Sequence, residues 1–205
     1  MPSSTKIKLC GIMRAQDIDV INRIKPEYIG FVFAPASRRY ITDETASALK
    51  KLLAPGINTV GVFVDEDPGT VSALLNGGVI DIAQLHGHED EEYLCKLRTL
   101  TDKPLIKAFR IKNADDLLKT QDCTADHILL DAGAGNGTVF DWDLLRGYDR
   151  PYFLAGGLNT LNAEEAVKRL QPFAVDVSSG IETDGVKDPV KMESFVKSVR
   201  AASFS

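Results

Sequence analysis

The chain has 205 residues, 44% of them hydrophobic and 26% charged, with a net charge of −5, a composition that fits one medium-sized soluble domain with a substantial core. The acidic balance excludes a general nucleic-acid surface, which needs a basic stripe, but allows an anionic small molecule to be held by local positive potential. No apolar stretch nears the roughly 20 residues of a membrane span, residues 1–5 lack the apolar middle of a signal peptide, and cysteines at 10, 95 and 123 neither pair evenly nor form C-x-x-C, so a cytoplasmic protein is expected.

Apolar, strand-like runs recur along the chain at 7–12, 28–33, 59–64, 81–85, 105–109, 128–131, 152–155 and 174–177. Their starts lie roughly 20 to 30 residues apart, the repeat of a strand–helix unit. They are dense in Val, Ile, Leu and Phe, as strands covered on both faces should be. Between them, Thr42 or Asp43 caps a predicted helix over 44–53 with an apolar stripe of Ala46, Leu49, Leu52 and Leu53. Only a short turn fits 141–145, Asn162 caps 163–170, and Asp188-Pro189 opens 190–202. Eight such units over 1–205 with no linker predict a single-domain (β/α)8 TIM barrel. The alternative, an open doubly wound sheet, would normally carry G-x-G-x-x-G after its first strand, where this chain has Gly11-Ile12-Met13.

In such barrels the chemistry sits at the carboxyl ends of the strands. The first strand ends on Cys10 and the sixth on Asp131, a thiol and a carboxylate that can serve as base and acid. Alternation sends Lys8 to the same side as Cys10 and Asp176 to the same side as Ser178. Gln84 and His86 share a side, and Lys107 interrupts strand five; mutual neutralisation of Lys8, Lys107 and Asp176 inside the barrel is the plain structural reading. The loop after strand two carries adjacent Arg38 and Arg39, a side chain type suited to holding a carboxylate bidentately. Gly156-Gly157 after strand seven and Ser178-Ser179-Gly180 after strand eight stand where barrels commonly bind phosphate through backbone N–H groups. The glycine-rich loop 133–138 is a candidate lid. His86 and His88 flank Gly87 but no third ligand has metal-site spacing, and Cys95, Cys123, His88 and His127 read as structural or exposed; no metal is expected.

Together these motifs resemble the phosphoribosylanthranilate isomerase family of tryptophan biosynthesis. The matching stretches are K-L-C-G-I at 8–12, G-F-V-F at 30–33, S-R-R-Y-I at 37–41, V-G-V-F-V at 60–64 and Q-L-H-G at 84–87. They continue with I-K-A at 106–108, L-L-D at 129–131, G-N-G-T-V-F-D-W at 135–142, A-G-G-L at 155–158 and D-V-S-S-G-I-E at 176–182. The resemblance implies a cofactor-independent Amadori rearrangement of a phosphorylated small molecule. It puts the general base on Cys10, the general acid on Asp131, the anthranilate-carboxylate arginine on Arg39 rather than Arg38, and the phosphate at Gly156, Gly157, Ser178, Ser179 and Gly180. His86, Gln84 and Asp176 are further candidate substrate contacts. The chain departs from the family's pattern at Met13, Thr138 and Asp184, none of which is a predicted catalytic group. The chemistry leads us to expect a carboxyl at Asp131 raised by burial and a thiol at Cys10 lowered by Lys8.

Overall fold

Eight parallel strands hydrogen-bond in chain order, and the first pairs with the last, closing a barrel; an open sheet is thereby excluded. The computed structural model describes residues 4–131, 133 and 142–202. The barrel strands are β1 (Lys6–Cys10), β2 (Tyr28–Val32), β3 (Asn58–Phe63), β4 (Ile82–Leu85), β5 (Leu105–Arg110), β6 (His127–Asp131), β7 (Tyr152–Ala155) and β8 (Ala174–Val177). Around them run α1 (Ala15–Ile24), α2 (Asp43–Lys50), α3 (Pro68–Asn76), α4 (Glu91–Arg98), α5 (Ala114–Leu118), α6 (Ala163–Leu170) and α7 (Pro189–Ala202). A 3-10 helix, Trp142–Leu145, stands between β6 and β7, the short turn expected there. A hairpin of β9 (Glu182–Thr183) and β10 (Val186–Lys187) follows β8. No described helix is long and apolar enough to cross a membrane.

Each barrel strand is buried on two faces by two different cores. Val60, Ile82, Ile106, Leu129, Phe153 and Ala174 pack together as one inward set. Their strand neighbours, such as Phe63, Leu105, Ile128, Leu130, Leu154 and Val175, pack with the helices in a larger outer cluster. A third small set, Cys10, Val32 and Val62, lies two residues further along the strands, towards their carboxyl ends.

Local chemistry fixes the element ends. β1 stops at Cys10 rather than 12, because Gly11 turns to φ +80 and both Gly11 and Ile12 donate their N–H groups to the Gly30 carbonyl. Thr42 caps α2 by accepting from the Thr45 N–H, and Asp188 Oδ1 accepts from Val190 and Lys191 at the start of α7. α2 ends at Lys50, short of the predicted 53: two i−3 bonds, Leu52 to Leu49 and Leu53 to Lys50, tighten the chain into turns. Leu52 consequently leaves the apolar stripe and is 53% exposed.

Candidate active site

Cys10 ends β1 directly opposite Gly30 of β2, and a Cβ on residue 30 would stand 2.6 Å from the Cys10 sulfur. Glycine at that register position makes the room for the thiol. Two residues back, Lys8 is fully buried and stands in register with Asp176 of β8. Its Nζ donates to Asp176 Oδ2 at 2.9 Å and also reaches the Cys10 thiol, while Asp176 Oδ1 is buried with no partner among the described residues. Lys8 and Asp176 therefore neutralise each other as the sequence suggested, but Lys107 does not join them. Lys107 Nζ turns outward to Glu89 Oε2 and the Gly87 carbonyl, both at 2.9 Å, and pins the loop after β4.

Burial pushes the Cys10 thiol up; Lys8 and Lys187 draw it down, Asp176 pushes it up again, and the balance lies above the ordinary thiol range. This reverses the expectation that Lys8 would leave a ready thiolate. The reason is first burial, and then Asp176, which offsets part of what Lys8 offers.

Across the barrel, Asp131 ends β6 with its side chain 18% exposed. His86 Nε2 stands 3.2 Å from Asp131 Oδ2, and Gly133 donates its N–H to Oδ1 at 2.9 Å. Gln84 Nε2 lies 2.8 Å from His86 Nδ1, a contact that orients the imidazole with Nε2 aimed at Asp131. Burial would raise the Asp131 carboxyl, but the His86 hydrogen bond and charge, the Gly133 N–H and the Arg110 charge outweigh it and hold the group below the usual carboxylate range. The expected raised acid is thus, in the resting protein, a carboxylate. His86 and His88 have separate partners, Asp131 and Asp65, so the pair flanking Gly87 does not converge.

The two glycine-containing loops meet. Gly156 and Gly157 both adopt left-handed backbone, at φ 90 and 70. Gly180 bridges Asn159, and a Cβ there would lie 1.9 Å from the Leu158 carbonyl oxygen, so only glycine lets the loops touch. Asn162, predicted as an ordinary helix cap, braces this loop instead: Oδ1 accepts from the Asn159 N–H and Nδ2 donates to the Gly157 carbonyl. Ser178 Oγ donates to the Cys10 carbonyl, tying the loop after β8 to the end of β1.

One cavity of about 380 Å3 receives these parts. Cys10 and Asp176 stand on its wall with Gln84, His86 and Asp131; Gly156, Gly157, Ser178, Ser179 and Arg39 complete it. Gly180 is absent from the wall and acts by holding the loops together. A larger cavity, about 800 Å3, lies at the amino ends of β7 and β8 against Tyr152 and Phe173 and contains none of the predicted groups. Size is therefore a poorer guide here than the convergence of titratable groups at the strand ends. The candidate lid, apart from Gly133, and the departure at Thr138 lie outside the described residues. At the departure at Asp184, where the family's pattern frequently has proline, Asp184 and Gly185 close the β9–β10 hairpin with φ of 51 and 79, and a proline cannot adopt the first of these.

Sequence reasoning missed two buried residues, Glu182 and Lys187. Arg39 is not a free guanidinium: Nε and Nη2 donate to the two oxygens of Glu182 at 2.7 and 2.8 Å, and Lys187 Nζ donates to Glu182 Oε1 at 2.6 Å. The signal available was the final E of the quoted 176–182 motif, a charged residue just past a glycine loop.

A family model described as N-(5'phosphoribosyl)anthranilate (PRA) isomerase matches residues 7–198. The N-(5'-phosphoribosyl)anthranilate isomerase of Endomicrobium trichonymphae is 44% identical over 201 residues, covering 96% of this chain and 98% of its own. That of Acetivibrio thermocellus is also 44% identical, over 213 residues, covering 97% of each chain. Among solved structures, phosphoribosyl anthranilate isomerase from Thermotoga maritima superposes with a TM-score of 0.88 at 35% identity, covering 96% of this chain and 99% of that one. A phosphoribosyl anthranilate isomerase in complex with reduced 1-(o-carboxyphenylamino)-1-deoxyribulose 5-phosphate gives a TM-score of 0.87 at 34% identity with the same coverage. With a closed eightfold barrel and a match over nearly its whole length, the chain belongs to the phosphoribosylanthranilate isomerase family, the isomerases of tryptophan biosynthesis.

Proposed function

We propose that the chain converts N-(5-phosphoribosyl)anthranilate to 1-(2-carboxyphenylamino)-1-deoxyribulose 5-phosphate by an Amadori rearrangement, with Asp131 as general acid and Cys10 as general base. The observation that carries this reading is the opening of Cys10 and Asp131 onto one cavity beside the paired glycine loops. Protonated Asp131 gives its proton to the furanose ring oxygen as the C1–O bond breaks, leaving a Schiff base. The Cys10 thiolate then removes the proton from the sugar C2, and the enolamine tautomerises to the ketone. The substrate's own nitrogen is the electron sink, so the chemistry calls for no cofactor.

The resting proton distribution is the opposite of the working one. Cys10 favours the thiol and Asp131 the carboxylate. The working pair, thiolate and carboxylic acid, has the same total charge and differs only in which group holds the proton. It is therefore a minority form whose population stays constant between the two pKa values and falls outside them. Cys10 supports its role through contact with Lys8, which stabilises the anion once formed.

At the ends of the substrate, Arg39 takes the anthranilate carboxylate and the Gly156-Gly157 and Ser178-Ser179 backbone takes the phosphate, with Gln84, His86 and Asp176 facing the sugar between them. Asp176 Oδ1 and Gln84 Oε1 are both buried acceptors without partners among the described residues, suited to sugar hydroxyl donors. Free thiols at Cys10, Cys95 and Cys123 favour a cytosolic site of action.

The test is the loss of phosphoribosylanthranilate fluorescence with purified protein and no added metal, before and after exhaustive chelation. Turnover unaffected by chelation is expected; turnover that disappears with the chelator would favour a metal-dependent sugar-phosphate epimerase on the same barrel. Inorganic phosphate should inhibit competitively, and Gly180→Ala should weaken that inhibition by forcing the Leu158 carbonyl away.

A further inference from the structure

Glu182 is the most heavily used carboxylate near the cavity, and the chemistry above does not employ it. Its side chain is 4% exposed. Oε1 accepts from Arg39 Nε and Lys187 Nζ, and Oε2 accepts from Arg39 Nη2 and Arg38 Nη2, all between 2.6 and 2.8 Å. Four charge-assisted bonds fill the acceptor capacity of the carboxylate. Burial would raise its pKa, but Arg39 and Lys187 hold it down to about 2.

The two strong grips lead to two different loops of the site. Arg39 lies on the loop after β2, where its stem crosses the turn at Gly11 so closely that a Cβ on residue 11 would stand 2.4 Å from Arg39 Cδ. Lys187 donates also to the Ser178 carbonyl at 3.0 Å, and Ser178 begins the loop after β8. One buried carboxylate thus fastens the Arg39 guanidinium to the start of the loop after β8. Arg39 keeps Nη1 without a partner among the described residues, and Arg38, Arg39 and Lys187 outnumber Glu182 in charge. The clamp orients Arg39 while leaving the cluster cationic.

We propose that Glu182 is the positioning residue that fixes the carboxylate-binding arginine at a set distance from the phosphate loop, so that the site selects ligands carrying a carboxylate and a phosphate at opposite ends. The inference rests on the assignment of Arg39 to the substrate carboxylate. It makes no use of Glu182 as an acid or base, since none of its oxygens is left free for substrate.

The experiment compares Glu182→Gln, which keeps shape but removes the charge, with Arg39→Ala and the double variant. Glu182→Gln should raise the KM for phosphoribosylanthranilate by about tenfold, the scale of a misaligned charge-assisted bond, with kcat changed by less than about threefold. Competitive inhibition by inorganic phosphate should be retained and inhibition by anthranilate lost. In the Arg39→Ala background Glu182→Gln should add nothing further to KM. Glu182→Asp, which keeps the charge but withdraws it, should fall between, and serves in place of Glu182→Gln if that protein does not fold. A wild-type or lowered KM overturns the proposal, the latter because Glu182 would then be competing with substrate for Arg39. Equal loss of phosphate and anthranilate inhibition also overturns it, as a general structural role. If Arg39→Ala itself leaves KM unchanged, the carboxylate assignment has failed rather than the clamp alone.

Discussion

The base and the acid of this site are held by neighbours of different kinds. Cys10 stands over Lys8 and Asp176, three buried side chains from two adjacent barrel strands whose positions are set by strand register. Asp131 stands at the rim, where an imidazole from the end of β4 and one backbone N–H are turned on it and its side chain remains 18% exposed. Burial pushes both groups towards their protonated forms. At the rim, the donors outweigh burial. In the floor, the cation already belongs to Asp176, and burial wins. A contacting lysine does not by itself make a thiolate; its own counter-ion decides how much charge it has to offer.

The sharpest break of this comparison removes each proton carrier in turn. Cys10→Ser replaces the thiol by a far weaker acid, and Asp131→Asn keeps shape without a transferable proton. Each should lower kcat by about 10²–10⁴ or more, while the reduced product analogue still binds, because the carboxylate and phosphate anchors are untouched. Turnover and analogue binding measured on the same folded preparations decide it. Near wild-type turnover in Cys10→Ser would end the thiolate mechanism.

Lys8→Met tests the floor alone. It leaves Asp176 buried without a partner, which should cost about 3–5 kcal/mol of stability, measured by denaturant unfolding. It also removes the first group drawing the Cys10 thiol down, so the thiol should move further up and alkylation of Cys10 should require a higher pH than in the wild type. Joining Asp176→Leu to Lys8→Met should restore much of the stability and none of the activity. Restored activity in that pair would mean that the buried charges serve packing and not the thiol.

Gly30→Ala keeps every charge and moves only the sulfur. The new methyl would stand 2.6 Å from Sγ, so the thiol must turn away. A displacement of about 1 Å at a reacting atom can cost on the order of 10²-fold in kcat, and steady-state kinetics on the folded variant reads it. An unchanged kcat would place the reacting base elsewhere.

The barrel itself was legible because its strands are covered on two faces: β7 and β8 span the very residues that the apolar runs marked, 152–155 and 174–177. Cys10, Asp131 and the glycine loops were legible for a related reason, since an apolar run that stops on a reactive or glycine residue marks a strand end. What escaped lies in contacts between segments far apart in the chain. Lys107 pairs with Glu89 in a neighbouring loop, not with the lumen charges, and nothing in the alternation of β5 reveals that. Glu182 and Lys187 sit in two-residue strands too short to show a period. The protonation of Cys10 and Asp131 depended on counter-charges and N–H groups that only the closed barrel brings within reach.

The smallest expected effect separates the rim from the floor by pH. His86→Leu removes the strongest of the interactions that hold the Asp131 carboxyl down against burial, so its pKa should rise. In the proposed mechanism Asp131 must carry a proton and Cys10 must not. Below the pKa of Asp131, further acid only protonates the remaining thiolate, so the rate falls as pH falls through that value: the acid limb belongs to Asp131 and the basic limb to Cys10. His86→Leu should therefore move the acid limb of kcat/KM to higher pH and leave the basic limb in place. More of the carboxyl is then protonated at neutral pH, which offsets the lost alignment and should keep kcat within about tenfold of wild type. A basic limb that moves while the acid limb stays would exchange the two assignments, because His86 touches Asp131 and has no contact with Cys10 among the described residues.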